Sequence, residues 1–316
     1  MSNQMLVIGD LHGDYYRLKR ILEENQISRI IENGDDIELE IIDYQTFVVF
    51  VGDYIDWRGE ELENPLNLKY SDMIKGTSKI VNLVSKMLEK RENVFTLIGN
   101  HEEMMFRALK IVEGLNIDEI GEMFEKISRN PYSVMKEVAE RGILEQFLSF
   151  YNWYSQGGLN TIRSFGNIEN LIEIVQQRRL FKNLLLFVYF DTVEGDRIMI
   201  SHSFPDDTTC IDRIIQESIT PKDIQLLLWS RRIWGIDAFN GVRTEPLREE
   251  EIISVLDKNR IKHYIVGHTR VSLEPKPFVY LNGRVINVDN HGIPQSQPLI
   301  IKDIKISGFR SSLYNL

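Results

Sequence analysis

Four of the six histidines in the chain lie in short motifs with glycine, aspartate, asparagine or serine. In chain order the motifs are Gly9-Asp10-Leu11-His12, Gly52-Asp53, Gly99-Asn100-His101-Glu102, Ser201-His202 and Gly267-His268. Carboxylate, imidazole and amide oxygen ligands suit manganese, iron or zinc. Two such cations, about 3.5 to 4 Å apart, neutralise a phosphate group and generate hydroxide from water near neutral pH. The ordered set therefore predicts a two-metal phosphoester hydrolase.

Each of these five motifs directly follows a short apolar run that is rich in β-branched residues. The runs are residues 5–8, 47–51, 94–98, 198–200 and 264–266. Such runs are typical of buried strands. Ligands of α/β proteins bind at the carboxyl ends of strands. We therefore expect five strands to deliver the candidate ligands to a common site.

The ordered motifs resemble those of the calcineurin-like metallophosphoesterase superfamily, and within it the phosphoprotein phosphatases, including bacterial and phage serine/threonine phosphatases. The family strings GDxHG, GDxxDRG, GNHE, H and GH occur in this order between residues 9 and 268, the second with one departure. The resemblance implies an α/β fold, a four-layer sandwich of two mixed β-sheets flanked by helices. It also implies hydrolysis by a hydroxide held between two divalent ions, with manganese favoured over iron or zinc.

Carried over residue by residue, the resemblance implies a ligand set, a catalytic pair and two phosphate-binding arginines. The metal ligands would be Asp10, His12 and Asp53 for one ion, and the shared Asp53, Asn100, His202 and His268 for the other. His101 would protonate the leaving oxygen, with Asp56 orienting its ring. Arg58 and Arg231 would bind phosphate oxygens through their guanidinium groups.

Two departures from the family strings bear on these roles. Trp57 separates Asp56 from Arg58, whereas the family arginine directly follows the aspartate. Trp57 is thus an insertion or a substitution, and Arg58 is equally well read as a surface residue. The last motif continues from His268 to Thr269, without the second histidine that many phosphodiesterases of the superfamily carry. This absence favours the phosphatase branch over the nuclease and cyclic-nucleotide branches.

Several candidates also have a purely structural interpretation. Aspartate and asparagine at strand ends make turns and cap helices. His101 precedes two glutamates, and an acidic first turn is favoured by the helix macrodipole. Arg231 is open to the surface interpretation as well. The two histidines outside the motifs, His263 and His291, are assigned structural roles.

Length and composition limit the domain number, the localisation and the partners that the sequence predicts. The chain has 316 residues, a mass of 37.0 kDa and 43% hydrophobic residues, enough for one large core. We predict a single domain over residues 1–316, with a helical insertion or cap at about 104–154. A lone cysteine, Cys210, and no signal-peptide pattern before the first strand predict a cytoplasmic protein. A formal charge of −10 disfavours nucleic acid as a partner, and no apolar run predicts a membrane span.

The periodicity also predicts individual elements. Asp14 is expected to cap a helix over residues 15–25. Residues 37–42 and 47–51 are expected to pair as a β-hairpin. A second hairpin is predicted around Asn282-Gly283, a strong turn signal. Residues 299–306 are predicted to form the last strand.

The favoured function is a metal-dependent phosphatase for phosphoserine or phosphothreonine in proteins, with phosphotyrosine as a further class. The alternative is a dinucleoside polyphosphate hydrolase that cleaves diadenosine tetraphosphate. A phosphodiesterase and a catalytically silent phosphate-binding protein rank below both. The substrate partner is therefore a phosphorylated protein or a nucleotide, and the oligomeric state is left open.

Overall fold

The structure is a computed structural model that describes residues 3–33, 36–59, 62–113, 116–127, 129–237 and 241–314. Within these ranges the strands are β1 (Asn3–Ile8), β2 (Ser28–Asn33), β3 (Asp36–Ile41), β4 (Phe47–Phe50), β5 (Val94–Leu97), β6 (Leu184–Thr192), β7 (Arg197–Ser201), β8 (Ile261–Val266), β9 (Phe278–Tyr280), β10 (Val285–Asn287), β11 (Leu299–Ile304) and β12 (Ile306–Leu313). The helices are α1 (Tyr15–Glu24), α2 (Tyr70–Met73), α3 (Gly76–Lys90), α4 (Asn100–Leu109), α5 (Ile117–Ile127), α6 (Pro131–Glu140), α7 (Leu144–Trp153), α8 (Leu159–Ser164), α9 (Ile168–Gln177), α10 (Arg179–Lys182), α11 (Thr209–Ile215), α12 (Pro221–Trp229) and α13 (Glu249–Lys258).

Most of the described strands form one long mixed sheet that curls back on itself. Its order is β11-β1-β4-β5-β6-β7-β8-β10-β9, and β12 also pairs with β6. The two halves of the sheet are joined where β5 pairs with β6, at Thr96 with Leu184 and Leu97 with Leu185. The predicted mixed α/β fold with flanking helices is confirmed, with the two expected sheets continuous through this short junction.

Side chains along the central strands alternate between two apolar clusters. The odd-numbered residues of β1 and β4, such as Met5, join a cluster that also contains residues of β6, β7, β8 and β10. The even-numbered ones, such as Leu6, join the cluster beneath the helices. The ring of Phe190 meets that of Phe95 edge to face at 5.2 Å, which connects the two halves. Because both faces of these strands are covered, their sequences are continuous apolar runs rather than alternating ones.

Parallel pairing brings the ligand-bearing loops together. In one half β4 lies parallel to both β1 and β5, and in the other β8 lies parallel to both β7 and β10. The carboxyl ends of parallel neighbours lie at the same edge of a sheet. The residues that follow β1, β4, β5, β7 and β8 include all six predicted metal ligands.

The helices confirm part of the sequence interpretation. Asp14 caps α1, and its side chain accepts a hydrogen bond from the Arg17 backbone N–H. The described residues between 104 and 154 are mostly helical, in α4 to α7 and a short 3₁₀ turn. The division into a domain and an insertion stays a prediction. Among the helices in the described ranges, none is both long and apolar enough to cross a membrane.

Two element predictions are corrected by the strand pairing. The hairpin of residues 37–51 is wrong, because β3 pairs antiparallel with β2, from Ser28 with Ile41 to Asn33 with Asp36. The strand β4 instead lies between β1 and β5, where both of its faces are buried. The last predicted strand ends at Ile304, and a further strand, β12, follows it along β6. The hairpin around Asn282 is confirmed by the antiparallel pairing of β9 and β10.

Candidate metal centre

The carboxylate of Asp53 lies at the centre of the site. Asp53 follows β4 in a left-handed conformation, with φ of 52°. Its Oδ2 atom is 3.5 Å from Nε2 of His12 and 3.4 Å from Nε2 of His202. Its Oδ1 atom accepts a hydrogen bond of 3.0 Å from the His101 backbone N–H. One buried carboxylate thus connects the loops after β1, β5 and β7.

The described residues contain three groups of side chains that could each hold a metal ion. Within each group the candidate ligand atoms lie within 4.8 Å of one another. The groups are Asp10 with His12 and His291, His12 with Asp53 and His101, and Asp53 with His202 and His268. All of these side chains except His291 are buried. The structure therefore brings the predicted aspartates and histidines together.

The amide of Asn100 completes the side of the site opposite His12. Its Oδ1 atom is 3.0 Å from Nε2 of His202 and 2.8 Å from Nδ1 of His268. Asn100 is the first residue of α4, and His268 follows β8. The His268 backbone N–H donates to the carboxylate of Asp10 at 3.0 Å, which ties the loop after β8 to the loop after β1. Each of the six predicted ligands thus lies in one cluster.

The hydrogen bonds of the ring nitrogens show that this donor set suits a cation. Nδ1 of His12 faces the Ile55 carbonyl at 3.0 Å, and Nδ1 of His202 faces the Val51 carbonyl at 2.8 Å. A carbonyl oxygen only accepts hydrogen bonds, so both Nδ1 atoms carry a proton and each Nε2 is the nitrogen that faces the Asp53 carboxylate. A cation bound between this carboxylate and the imidazoles would take the place of a proton at Nε2.

Burial and mutual charge set the pKa values of these groups. Burial and the neighbouring Asp289 carboxylate raise the pKa of Asp10 well above its usual value. Burial lowers the pKa of His12 to about 3. Burial also opposes charging of His202, but the Asp53 carboxylate outweighs it and raises the pKa of His202 to about 9. Buried carboxylates so close together carry a desolvation cost that bound cations would offset.

A second cluster orients His101. Its Nδ1 atom donates to Oδ2 of Asp56 at 2.9 Å. The Asp56 carboxylate, which is fully buried, also accepts hydrogen bonds from Nε1 of Trp153 at 2.9 Å and from Oγ1 of Thr161 at 2.6 Å. Burial lowers the pKa of His101 to about 4 and raises that of Asp56. Burial thus favours the uncharged forms of both partners, whereas a phosphate dianion beside the ring would favour the imidazolium.

The two predicted arginines lie at the rim of the cluster. Nε of Arg231 donates to Nε2 of His268 at 3.0 Å. Burial lowers the pKa of Arg231, and the charge of Arg58 contributes to the same effect. Arg58 itself is exposed, while the preceding Trp57 is buried and packs against the ring of Tyr70 at 4.9 Å. The side chain of Trp57 therefore packs into the protein, and Arg58 lies at the surface near the site.

Comparison with known proteins identifies the family of this chain. The model of the calcineurin-like phosphoesterase family matches residues 4–272. The chain belongs to this family. It is therefore a phosphoesterase, a hydrolase of a family that uses divalent metal ions.

Two solved structures are similar to this phosphoesterase at low sequence identity. The cold-active protein-tyrosine phosphatase of the psychrophile Shewanella sp. is 14% identical, with a TM-score of 0.45 over 99% of this chain and 81% of that one. A protein serine/threonine phosphatase from Saccharomyces cerevisiae, with similarity to human phosphatase PP5, is 12% identical, with a TM-score of 0.38 over 91% of this chain and 67% of that one. No match to a curated protein was found.

Several residues of this site were missed by sequence reasoning. His291, for which the sequence suggested a structural role, lies within the cluster, with its ring beside that of His12 at 4.6 Å between centroids. Trp153, which donates to Asp56, comes from the helical region and belongs to no motif, so its sequence neighbourhood gave no signal. Thr161, which also donates to Asp56, follows the Gly157-Gly158 pair, which by itself indicates only a turn. His263, by contrast, lies outside the cluster and donates to the Gly283 carbonyl at 2.7 Å.

Glu102 is a fourth residue whose role became visible in the structure, although it belongs to the GNHE motif. Its buried carboxylate accepts backbone hydrogen bonds of 2.9 Å each from Asp53, Tyr54 and Gly99. Buried backbone N–H groups need such partners. Glu102 therefore fixes the loop after β4 against the start of α4.

Two glycines allow the carboxylates to approach the backbone. A Cβ atom on Gly99 would overlap the carboxylate of Asp53, and one on Gly267 would overlap Oδ1 of Asp10. Any larger residue would displace a candidate metal ligand. The glycines that precede Asn100 and His268 are thus required by close contact with the site rather than by turn formation alone.

Proposed function

We propose that this phosphoesterase hydrolyses phosphomonoesters of serine and threonine in proteins, and of tyrosine as a further class. The observation that carries the proposal is the hydrogen bond of 2.9 Å between His101 and the buried carboxylate of Asp56, next to the candidate metal groups. A serine or threonine alkoxide is a poor leaving group and needs a proton as the ester bond breaks. A phosphoanhydride has a far better leaving group, so it has less need of such an acid.

We assign the ligands as the family pattern implies, because the donor atoms converge in pairs around a common carboxylate. One ion would be held by Asp10, His12 and Asp53, and the other by Asp53, Asn100, His202 and His268. Asp53 would be the shared ligand, because its Oδ2 atom lies 3.5 Å from Nε2 of His12 and 3.4 Å from Nε2 of His202. When bound, such cations neutralise phosphate charge and lower the pKa of water to near neutrality.

The protein's own residues supply the remaining chemistry. With the proton on Nδ1 held by Asp56, His101 donates a proton from Nε2 to the leaving oxygen. Asp56 stabilises the imidazolium that precedes this transfer and keeps the ring in one tautomer. Arg231 and Arg58 bind the outer phosphate oxygens, where their positive charge matches the dianion of a monoester better than the single charge of a diester.

The test uses the purified full chain, stripped of metal and reloaded with manganese. Its substrates are a phosphoserine peptide, a phosphotyrosine peptide, diadenosine tetraphosphate and a nucleotide diester. Metal-restored phosphate release from the phosphoserine peptide, abolished in His101→Ala and retained in His263→Ala, supports the proposal. His263 is the matched control because it is a half-buried histidine remote from the cluster. Preferential cleavage of the dinucleotide would replace the proposed substrate by the alternative one.

A further inference from the structure

The loop after β10 brings an additional histidine to the site. His291 lies in the string Asp289-Asn290-His291-Gly292. Candidate ligand atoms of Asp10, His12 and His291 lie within 4.8 Å of one another. The ring of His291 meets that of His12 at 63°, with 4.6 Å between centroids. Its place is therefore at the His12 side of the cluster, away from His202 and His268.

The protonation pattern of His291 matches that of a metal ligand. Nδ1 of His291 is 2.6 Å from Oδ1 of Asp289, whose side chain is fully buried. A carboxylate oxygen accepts hydrogen bonds, so Nδ1 of His291 carries a proton and Nε2 is the nitrogen that could bind a cation. His12 and His202 show the same arrangement, with backbone carbonyls in place of the carboxylate.

Buried hydrogen bonds fix the loop that carries His291. The Asn290 amide donates to the carbonyls of Pro275 and Gln297, at 3.1 and 2.8 Å. The buried guanidinium of Arg17 donates to the Asp10 carbonyl at 2.6 Å and also to Oδ1 of Asn290. Arg17 therefore connects the loop that carries His291 to the loop that carries Asp10 and His12 through hydrogen bonds. A histidine fixed in this way is pre-organised for ligation.

We propose that His291 is a ligand of the metal ion held by Asp10, His12 and Asp53, with Asp289 as its positioning residue. The inference rests on the proposed two-metal function and deepens it. With His291 this ion would have two imidazole and two carboxylate ligands, and the carboxylate of Asp53 would be shared with the other ion. A second imidazole favours zinc or iron over magnesium, which prefers oxygen ligands. The buried carboxylate behind the ring is the usual partner of a metal-bound histidine.

The test measures metal binding directly. Metal-free wild type, His291→Ala, Asp289→Asn, His12→Ala and the control His263→Ala are titrated with manganese, and free manganese is followed by electron paramagnetic resonance. Metal retained after gel filtration is counted by mass spectrometry, and circular dichroism checks folding. Asp289→Asn is expected to weaken the binding of one of the two manganese ions by about 10- to 100-fold. His291→Ala is expected to weaken the binding of the same ion by at least as much. His263→Ala is expected to bind as the wild type does.

Three outcomes separate this inference from the proposed function. Suppose that His12→Ala binds one manganese ion more weakly, while His291→Ala binds both ions with wild-type affinity. His291 is then not a ligand, and the two-metal proposal stands. If the wild type holds no manganese, the proposed function fails and this inference fails with it. If His291→Ala folds and selectively loses the ion that His12→Ala loses, the assignment is supported. Pulsed-resonance detection of fewer histidine nitrogens at that manganese in His291→Ala supports it independently of affinity.

Discussion

Replacing Asp56 by asparagine should remove acid catalysis while leaving the metal groups in place. The carboxylate of Asp56 accepts hydrogen bonds from His101, Trp153 and Thr161, at 2.9, 2.9 and 2.6 Å. Asparagine retains one acceptor oxygen, which Trp153 and Thr161 can share. Its NH₂ group then faces Nδ1 of His101, which must accept rather than donate. The ring is left in the wrong tautomer and its imidazolium loses its counter-charge.

The expected magnitude follows from the role of the proton. General acid catalysis contributes about 10²- to 10⁴-fold to a rate, and a tenfold change corresponds to about 1.4 kcal/mol. The expected loss for Asp56→Asn is therefore about 3 to 6 kcal/mol of transition-state stabilisation with a poor leaving group. With p-nitrophenyl phosphate the leaving oxygen needs little protonation, and the loss should stay below about tenfold.

The assay compares kcat/KM for phenyl phosphate and p-nitrophenyl phosphate at saturating manganese. Thr161→Val is the matched control, because it removes one donor to Asp56 but keeps the carboxylate that faces His101. Oγ1 of Thr161 also accepts the Asp56 backbone N–H at 3.0 Å, so the expected cost in free energy of unfolding is about 1 to 3 kcal/mol, for a buried group left without its partner. If Asp56→Asn lowers kcat/KM equally for the two substrates, with unchanged manganese affinity, then His101 with Asp56 is not the general acid.

Two further predictions concern the framework of the site and the stability of the fold. Gly267→Ala should displace the Asp10 carboxylate and weaken manganese binding, whereas Gly308→Ala, which meets no atom within 4 Å, should not; a manganese titration that gives the same affinity for both variants would contradict this. Asp223 is a buried helix-capping residue whose pKa is depressed, chiefly by its hydrogen bonds to Arg213. A depressed carboxyl pKa stabilises the fold above the unfolded value of about 3.9, and this contribution is lost as the pH falls. Asp223→Asn should therefore cost about 1 to 3 kcal/mol in urea unfolding at about pH 7 and somewhat less at about pH 3, because the contribution disappears only below the depressed pKa of the folded state; a cost that does not fall between these two pH values would refute the linkage.

The sequence was sufficient for the ligand-bearing loops because their signal is local. A β-branched run that ends in a motif, such as the run before Asp53, specifies both a buried strand and the position of its last side chain. Parallel pairing then needs no further information to place such loops at one edge. For this reason the structure clusters every predicted aspartate, asparagine and motif histidine.

The parts that sequence reasoning missed depend on partners far away in the chain. The strand β3 has the alternation of a half-buried strand, but nothing in it shows that its partner is β2 rather than β4. His291 lies in a loop with no metal motif, and it reaches His12 because Arg17 joins the two loops from the far end of the sequence. Trp153 likewise contacts Asp56 across 97 positions of sequence. Such contacts are decided by packing, which local patterns do not encode.

The most direct test of the two-metal site is a manganese titration of the metal-free protein with phosphate release from a phosphoserine peptide as the readout. We expect activity to appear with the second equivalent of manganese and electron paramagnetic resonance then to detect a spin-coupled pair, because the two ions would share Asp53. Full activity at one equivalent, or activity that persists in the presence of a chelator, would contradict the two-metal site.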